Sequence, residues 1–192
     1  EIAKVRDRAA IGLGELGDAD LVDELVDRLT RRGSYYSDEQ ARVACRMLER
    51  VGDTRATSEL IAAYVDGFRP VQVAEGLAGL RVAALGPLVA AAEQHPEIAK
   101  RKSTGEILKA LHPHTVASYL ETRMRLLAEE PEVVARAKLL MRLAAYDAAV
   151  RARVAEALGE VAASASAPIE KKLRKLLTTN EGGGAPVAAR PC

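Results

Sequence analysis

Aromatic residues are nearly missing from this chain: there is no tryptophan, one phenylalanine (Phe68) and five tyrosines, 3% of the 192 residues. A core without rings has to be built from Leu, Val, Ile and Ala, whose small side chains let helices approach closely. Cysteine is as scarce. Cys45 falls among apolar helix positions, where a small buried thiol fits, and Cys192 is the last residue. Two cysteines so far apart make neither a disulfide framework nor a metal motif, and they suit a reducing, cytoplasmic setting. No stretch reaches the length of a membrane-spanning apolar run and no signal-peptide pattern opens the chain, so no membrane insertion is expected. Alternating β-branched runs are missing too, which predicts no sheet. The chain opens on Glu1 rather than Met, from which a fragment or processed product is expected.

The residues of catalysis are equally thin. The histidines are His95, His112 and His114. His112 and His114 are close enough to share a metal, but no third ligand accompanies them and a polar interhelical turn explains them. Cys45 has no histidine near it in sequence, and neither a Gly-x-Ser-x-Gly elbow nor a phosphate-binding glycine loop occurs. Gly182-Gly183-Gly184 follows no strand and reads as linker. No catalytic residue, metal or cofactor is expected.

What the chain does have is 48% hydrophobic and 29% charged residues, a folded and water-compatible balance, and a repeated phrase. AAIGLGELGDADLVDELVDRL at 9–29 returns as ACRMLERVGDTRATSELIAAY at 44–64, 35 positions later. Ala9 falls on Ala44, Leu13 on Leu48, Gly17-Asp18 on Gly52-Asp53 and Leu25-Val26 on Leu60-Ile61. Two helical patterns per period of this length predict stacked helical hairpins.

Apolar spacing divides the chain into units 1–33, 37–67, 70–95, 97–129 and 131–163, a capping helix over 168–177 and a disordered Gly/Pro/Ala tail over 178–192. The first hairpin pairs a helix over about 2–16 with one from about 20 to 31, whose Leu21, Val22, Leu25, Val26 and Leu29 point inward. The second pairs about 38–51 with 54–66. The third is degenerate, about 71–80 and 84–94, with Pro87 suited to the first turn of its second helix. The fourth pairs one helix over 97–111 with another over 114–129. In the fifth, Val134, Ala137, Leu140, Met141 and Ala144 face Val150, Val154, Leu158 and Val161.

The phrase Arg6-Asp7-Arg8-Ala9-Ala10-Ile11-Gly12-Leu13-Gly14-Glu15-Leu16-Gly17-Asp18 resembles the consensus of HEAT repeats, in the subtype named after phycobilisome lyases. Val150-Arg151-Ala152-Arg153-Val154-Ala155-Glu156-Ala157-Leu158-Gly159 is similar. The resemblance implies an all-α, right-handed α-solenoid of about five helical-hairpin repeats, with second helices lining the concave face. It implies no activity, because this repeat serves scaffolds, lyases, hydroxylases and DNA-repair proteins alike. HEAT-repeat hydroxylases hold two irons on His-Glu pairs, and here no histidine is followed by glutamate.

Charge then marks the candidate surface. Residues 1–96 carry 12 Lys/Arg against 16 Asp/Glu, and residues 97–192 carry 16 against 11. Asp20, Asp23, Glu24 and Asp27 recur at intervals of three and four, so they share one helix face. Bordering a groove, that acidic stripe would receive a basic protein or peptide, with Arg55 and Glu59 of the next repeat within reach. Tyr35 and Tyr36, adjacent in a loop, are candidate contact anchors. Lys100-Arg101-Lys102, Arg123/Arg125 and the KKLRK run at 171–175 form basic clusters, but near-neutral charge and few aromatics argue against nucleic acid. The expected function is a non-enzymatic scaffold or adaptor. A bilin or chromophore lyase-type subunit is the alternative, and a nucleic-acid-binding protein stands behind it.

Overall fold

The computed structural model describes residues 21–30, 41, 43, 44, 47, 48, 56–127 and 132–181, with the backbone alone at 21, 27–30 and 179–181. Among these residues there are helices and turns and no strand. The helices are α1 (Leu21–Thr30), α2 (Ala56–Val65), α3 (Pro70–Gly79), α4 (Val82–Gln94), α5 (Lys102–Lys109), α6 (Pro113–Leu126), α7 (Val133–Ala144), α8 (Ala148–Ser164) and α9 (Ala167–Glu181), with a 3₁₀ turn at Ile98–Lys100. Ala41, Val43, Ala44, Met47 and Leu48 are helical as well. The chain forms two compact units that meet within α6, residues 1–116 and 117–192.

In the first unit α2 packs on α1, α3 and α4, while α3 also packs on α5. Contact with the next helix and with the next but one is how stacked helical hairpins bury their apolar stripes. The core is aliphatic, as the shortage of rings requires: Leu25, Leu48, Leu60, Leu77, Leu88 and Ile107 are all buried. Tyr64 is the exception, an aromatic ring with no exposed surface.

The end of α2 shows how sequence sets a boundary. Gly67 takes φ +71, a left-handed conformation that costs glycine nothing. Its N–H donates to Tyr64 O and that of Phe68 to Ala63 O, closing the helix with two bonds that otherwise orphaned carbonyls need. Two non-glycine residues, Arg69 (φ 41) and Arg81 (φ 52), also lie at positive φ, immediately before α3 and α4. Neither side chain caps its helix.

Two expectations need correction here. Pro87 lies inside α4, not in its first turn, because α4 starts at Val82 rather than 84. Its exposed ring occupies the solvent side, where losing one backbone donor is least costly. The single helix expected over 97–111 is broken at Arg101, whose backbone is extended (φ −70, ψ 133) between the 3₁₀ turn and α5. That break sends the Arg101 guanidinium back to the end of α2, which a continuous helix would not do.

In the second unit α7, α8 and α9 pack on one another. Asp147 caps α8, its carboxylate accepting from Val150 N at 2.9 Å. Val150, Val154, Leu158 and Val161 are buried as their spacing requires, whereas α7 buries Val133 and leaves Val134 half-exposed. Leu173 anchors α9 in the core. The helix runs to Glu181, so the tail expected from 178 begins with helical residues.

Candidate functional site

The helices α2 and α4 pack on each other, and between them lies a groove of about 500 Å³. Ser58, Ile61, Ala62, Val65 and Asp66 form one wall, and Pro87, Ala91, Gln94 and His95 the other. Ser58 pairs with Pro87, Ala62 with Ala91 and Asp66 with His95, a step of about 30 residues that matches one hairpin repeat. Ile61, Ala62, Val65, Pro87 and Ala91 give the groove its apolar part, and Ser58, Asp66, Gln94 and His95 its polar part. Its one charged lining residue of fixed sign is Asp66, just past α2, with Glu59 exposed on α2, while neither helix contains a Lys or Arg. His95 Nδ1 lies 3.7 Å from Glu97 at the groove's far end.

A buried polar chain fixes α2 to α5. Tyr64 Oη is 2.6 Å from Ser103 Oγ and 2.9 Å from Thr104 Oγ1, and Thr104 donates to Ile98 O at 2.7 Å. Each hydroxyl owns one proton. Thr104 has used its own on Ile98, so Tyr64 donates to Thr104 and Ser103 donates to Tyr64. Arg101 completes the arrangement, donating to Tyr64 O and, at 3.0 Å, to Val65 O, with its guanidinium 5.1 Å from the Tyr64 ring centre. A cation on the last carbonyls of a helix meets its negative end.

A second groove follows α3 and α5. Its upper part, about 520 Å³, is lined by Pro70, Val71, Ala74, Glu75, Ala78, Lys102, Ser103, Glu106 and Ile107. Ala78 also belongs to the next depression, about 600 Å³, with Gly79, Arg81, Val82, Ala110, Leu111 and His112. Val71 and Val82 are more than half exposed along it. Sequence reasoning missed this surface because helical periodicity assigns the two valines no partner; their flanking Pro70 and Arg81 were the available signal.

Of the candidate residues, Asp23 and Glu24 are exposed on α1 beside the buried Val22 and Leu25, and Glu59 is exposed on α2, which packs on α1. Asp27 is on α1 by its backbone. Asp20, Tyr35, Tyr36, Arg55 and Cys45 lie outside the described residues. His112 and His114 are both exposed, and His114 N donates to His112 Nδ1 at 3.3 Å, a contact within the turn. Among the described residues no group of three or more His, Cys, Asp or Glu side chains is placed to hold a metal.

The second unit carries ion pairs. Arg153 grips Glu121 with two bonds, Nε at 2.6 Å and its terminal nitrogen at 2.9 Å. Arg125 Nε meets Glu160 at 2.8 Å, which raises the arginine and holds the Glu160 carboxyl below its ordinary range.

Residues 5–31 match the PBS lyase HEAT-like repeat. The matched stretch takes in α1, and the all-helical architecture of the described residues agrees with it. No curated protein and no solved structure matches the chain. No helix of the described residues is long and apolar enough to cross a membrane.

Proposed function

We propose that the chain is a non-enzymatic scaffold or adaptor whose α2–α4 groove takes a basic, leucine-bearing segment of a protein partner. One observation carries the reading: an apolar floor of Ile61, Ala62, Val65 and Ala91 is lined at one end by Asp66, with Glu59 exposed on α2, between helices without a single Lys or Arg. Aliphatic side chains of the partner would supply burial, and its cations would meet the acidic edge and hasten encounter. Asp23, Glu24 and Asp27 on α1 would extend that edge toward the first repeat, with Asp20 beside them in sequence, Tyr35 and Tyr36 in the loop between the first two repeats and Arg55 in the second. Side chains held on packed helices lose little freedom on binding, so a small groove suffices.

The test uses short helical peptides with leucines at helical spacing and either lysines or glutamates between them. The lysine series should bind and the glutamate series should not. Asp23→Lys with Asp27→Lys should slow association with helicity and melting unchanged, and Ala62→Arg should block the groove. Equal binding of both series would discard the reading. A chromophore lyase-type role is the second reading, supported by the repeat matched at 5–31; a shift in the absorbance of an added bilin would favour it over the adaptor.

A further inference from the structure

The second unit segregates its charges. Of its acidic side chains, Glu121, Glu156 and Glu160 sit on α6 and α8, two of them committed to Arg153 and Arg125, while Glu132 and Asp147 sit at the N-caps of α7 and α8. The helices α7 and α9, which pack on each other, carry seven cations: Arg136, Lys138, Arg142, Lys171, Lys172, Arg174 and Lys175. Against them stand Glu132 at the N-cap of α7, Glu170, held by Arg174 at 2.7 Å, and Glu181 at the helix end. Lys138, Arg142, Lys171 and Lys172 are exposed, on the sides of α7 and α9 opposite the buried Ala137, Leu140 and Leu173.

We infer that this α7–α9 face binds the phosphate backbone of duplex nucleic acid without reading its sequence. Lys138 and Arg142 stand one helical turn apart, ~6 Å along the axis, as do Lys171 and Lys175. Two such rows side by side match a partner of high, regular negative charge density, and duplex DNA offers one charge per ~1.7 Å of its axis. Aromatic platforms for stacking and the amides that pair with adenine are missing: α7 and α9 contain no aromatic residue and no Asn or Gln short of Asn180. An anionic membrane fits worse, because interfacial helices insert large apolar groups. The large hydrophobic side chains exposed among the described residues are Val71, Val82 and Leu126, none of them on α7 or α9.

The probe is a fluorescein-labelled random-sequence DNA duplex, followed by anisotropy with the full chain across 50–200 mM salt. Binding should appear at the low end, and four phosphate contacts would give a log–log salt slope of roughly −3 to −4. Lys138→Glu with Arg142→Glu, and separately Lys171→Glu with Lys172→Glu, should each weaken it at least tenfold. Lys100→Glu, an exposed cation of the first unit, should leave it unchanged. The glutamine versions of the same pairs provide a second series should a reversal disturb the circular dichroism spectrum. No binding at 50 mM salt, equal loss with Lys100→Glu, or full affinity in the α7 and α9 variants would overturn the assignment. So would capture by phosphatidylcholine–phosphatidylserine vesicles or polyglutamate as tight as by the duplex. The peptide test at α2–α4 is independent of every one of these outcomes.

Discussion

Arg101 lies over the ring of Tyr64, 5.1 Å from its centre, while its guanidinium donates to the carbonyl of that same residue and to that of Val65. One side chain therefore closes the end of α2 and covers the one ring buried among the first unit's described residues. The extended backbone at Arg101 is what makes the reach possible, and the interruption between the 3₁₀ turn and α5 is its consequence. Lysine carries the charge but has no planar fork to divide between two carbonyls or to stack.

Removing parts of this arrangement should therefore give a graded series. Tyr64→Phe deletes one member of the hydroxyl chain but leaves Thr104 bonded to Ile98 and Ser103 near solvent, so about 1 kcal/mol should be lost. Arg101→Lys should cost about 1–2 kcal/mol and Arg101→Ala more, since the Val65 carbonyl then loses its Arg101 donor, Tyr64 O keeps only Gly67 N–H, and the Tyr64 ring loses its cover. Urea unfolding checks this: the midpoint should fall in that order at constant slope. A midpoint unchanged in Arg101→Ala would show that the contact contributes nothing.

Two backbone positions leave room for gain. Gly159 lies inside α8, and a Cβ built there meets no atom within 4 Å. Gly159→Ala should stabilise by roughly 0.5–1 kcal/mol, through helix propensity and a less free unfolded chain. Arg81, at φ 52 and ψ −130, occupies a region that suits glycine. Arg81→Gly should relieve about 1 kcal/mol of strain. Thermal unfolding monitored by circular dichroism reads both; a lower midpoint for Gly159→Ala would mean that α8 needs the gap.

Where one period governed, the sequence was legible. Val150, Val154, Leu158 and Val161 recur every three to four residues, and all four are buried on α8. The hairpin rhythm likewise foretold an all-helical chain. What periodicity could not carry was a long-range tie. Nothing around Arg101 announces that its partners are carbonyls 36 and 37 residues earlier, so a broken helix read as a continuous one. The grooves were illegible for a related reason: Ala62 and Ala91 look like ordinary small helix residues until two repeats place them opposite each other. Of the acidic stripe, Asp23 and Glu24 are exposed on α1, Asp27 is placed by its backbone, and Asp20 lies outside the described residues.

The two ion pairs of the second unit should differ in weight. Glu121 is 13% exposed and is held by both branches of the Arg153 fork, with Ser118 Oγ a further 3.4 Å contact. Arg125 and Glu160 are both about half exposed, so water competes for their bond. Glu121→Ala should cost about 1–2 kcal/mol, because it strips a partly desolvated guanidinium of its partner. Glu160→Ala should have a much smaller effect, one that high salt removes. Equal losses from the two substitutions would contradict this ranking.

Tyr146, in the turn between α7 and α8, provides a test in pH. Burial first, and the Asp147 charge second, push its hydroxyl up to about 12, from an ordinary value near 10. The folded state thus holds the proton more tightly than the unfolded chain does. The associated stability is fully present below pH ~10 and is lost as pH rises toward 12, since ionisation is then easier in the unfolded chain. The unfolding midpoint should fall across that interval, and Tyr146→Phe should remove this part of the decline. The Tyr146 hydroxyl is also buried with no hydrogen-bond partner among the described residues. At neutral pH, then, the phenylalanine variant should be as stable as the parent or more so, by up to about 1 kcal/mol. A clear loss of stability in Tyr146→Phe at pH 7 would show that the hydroxyl does have a partner, and both expectations would fall together.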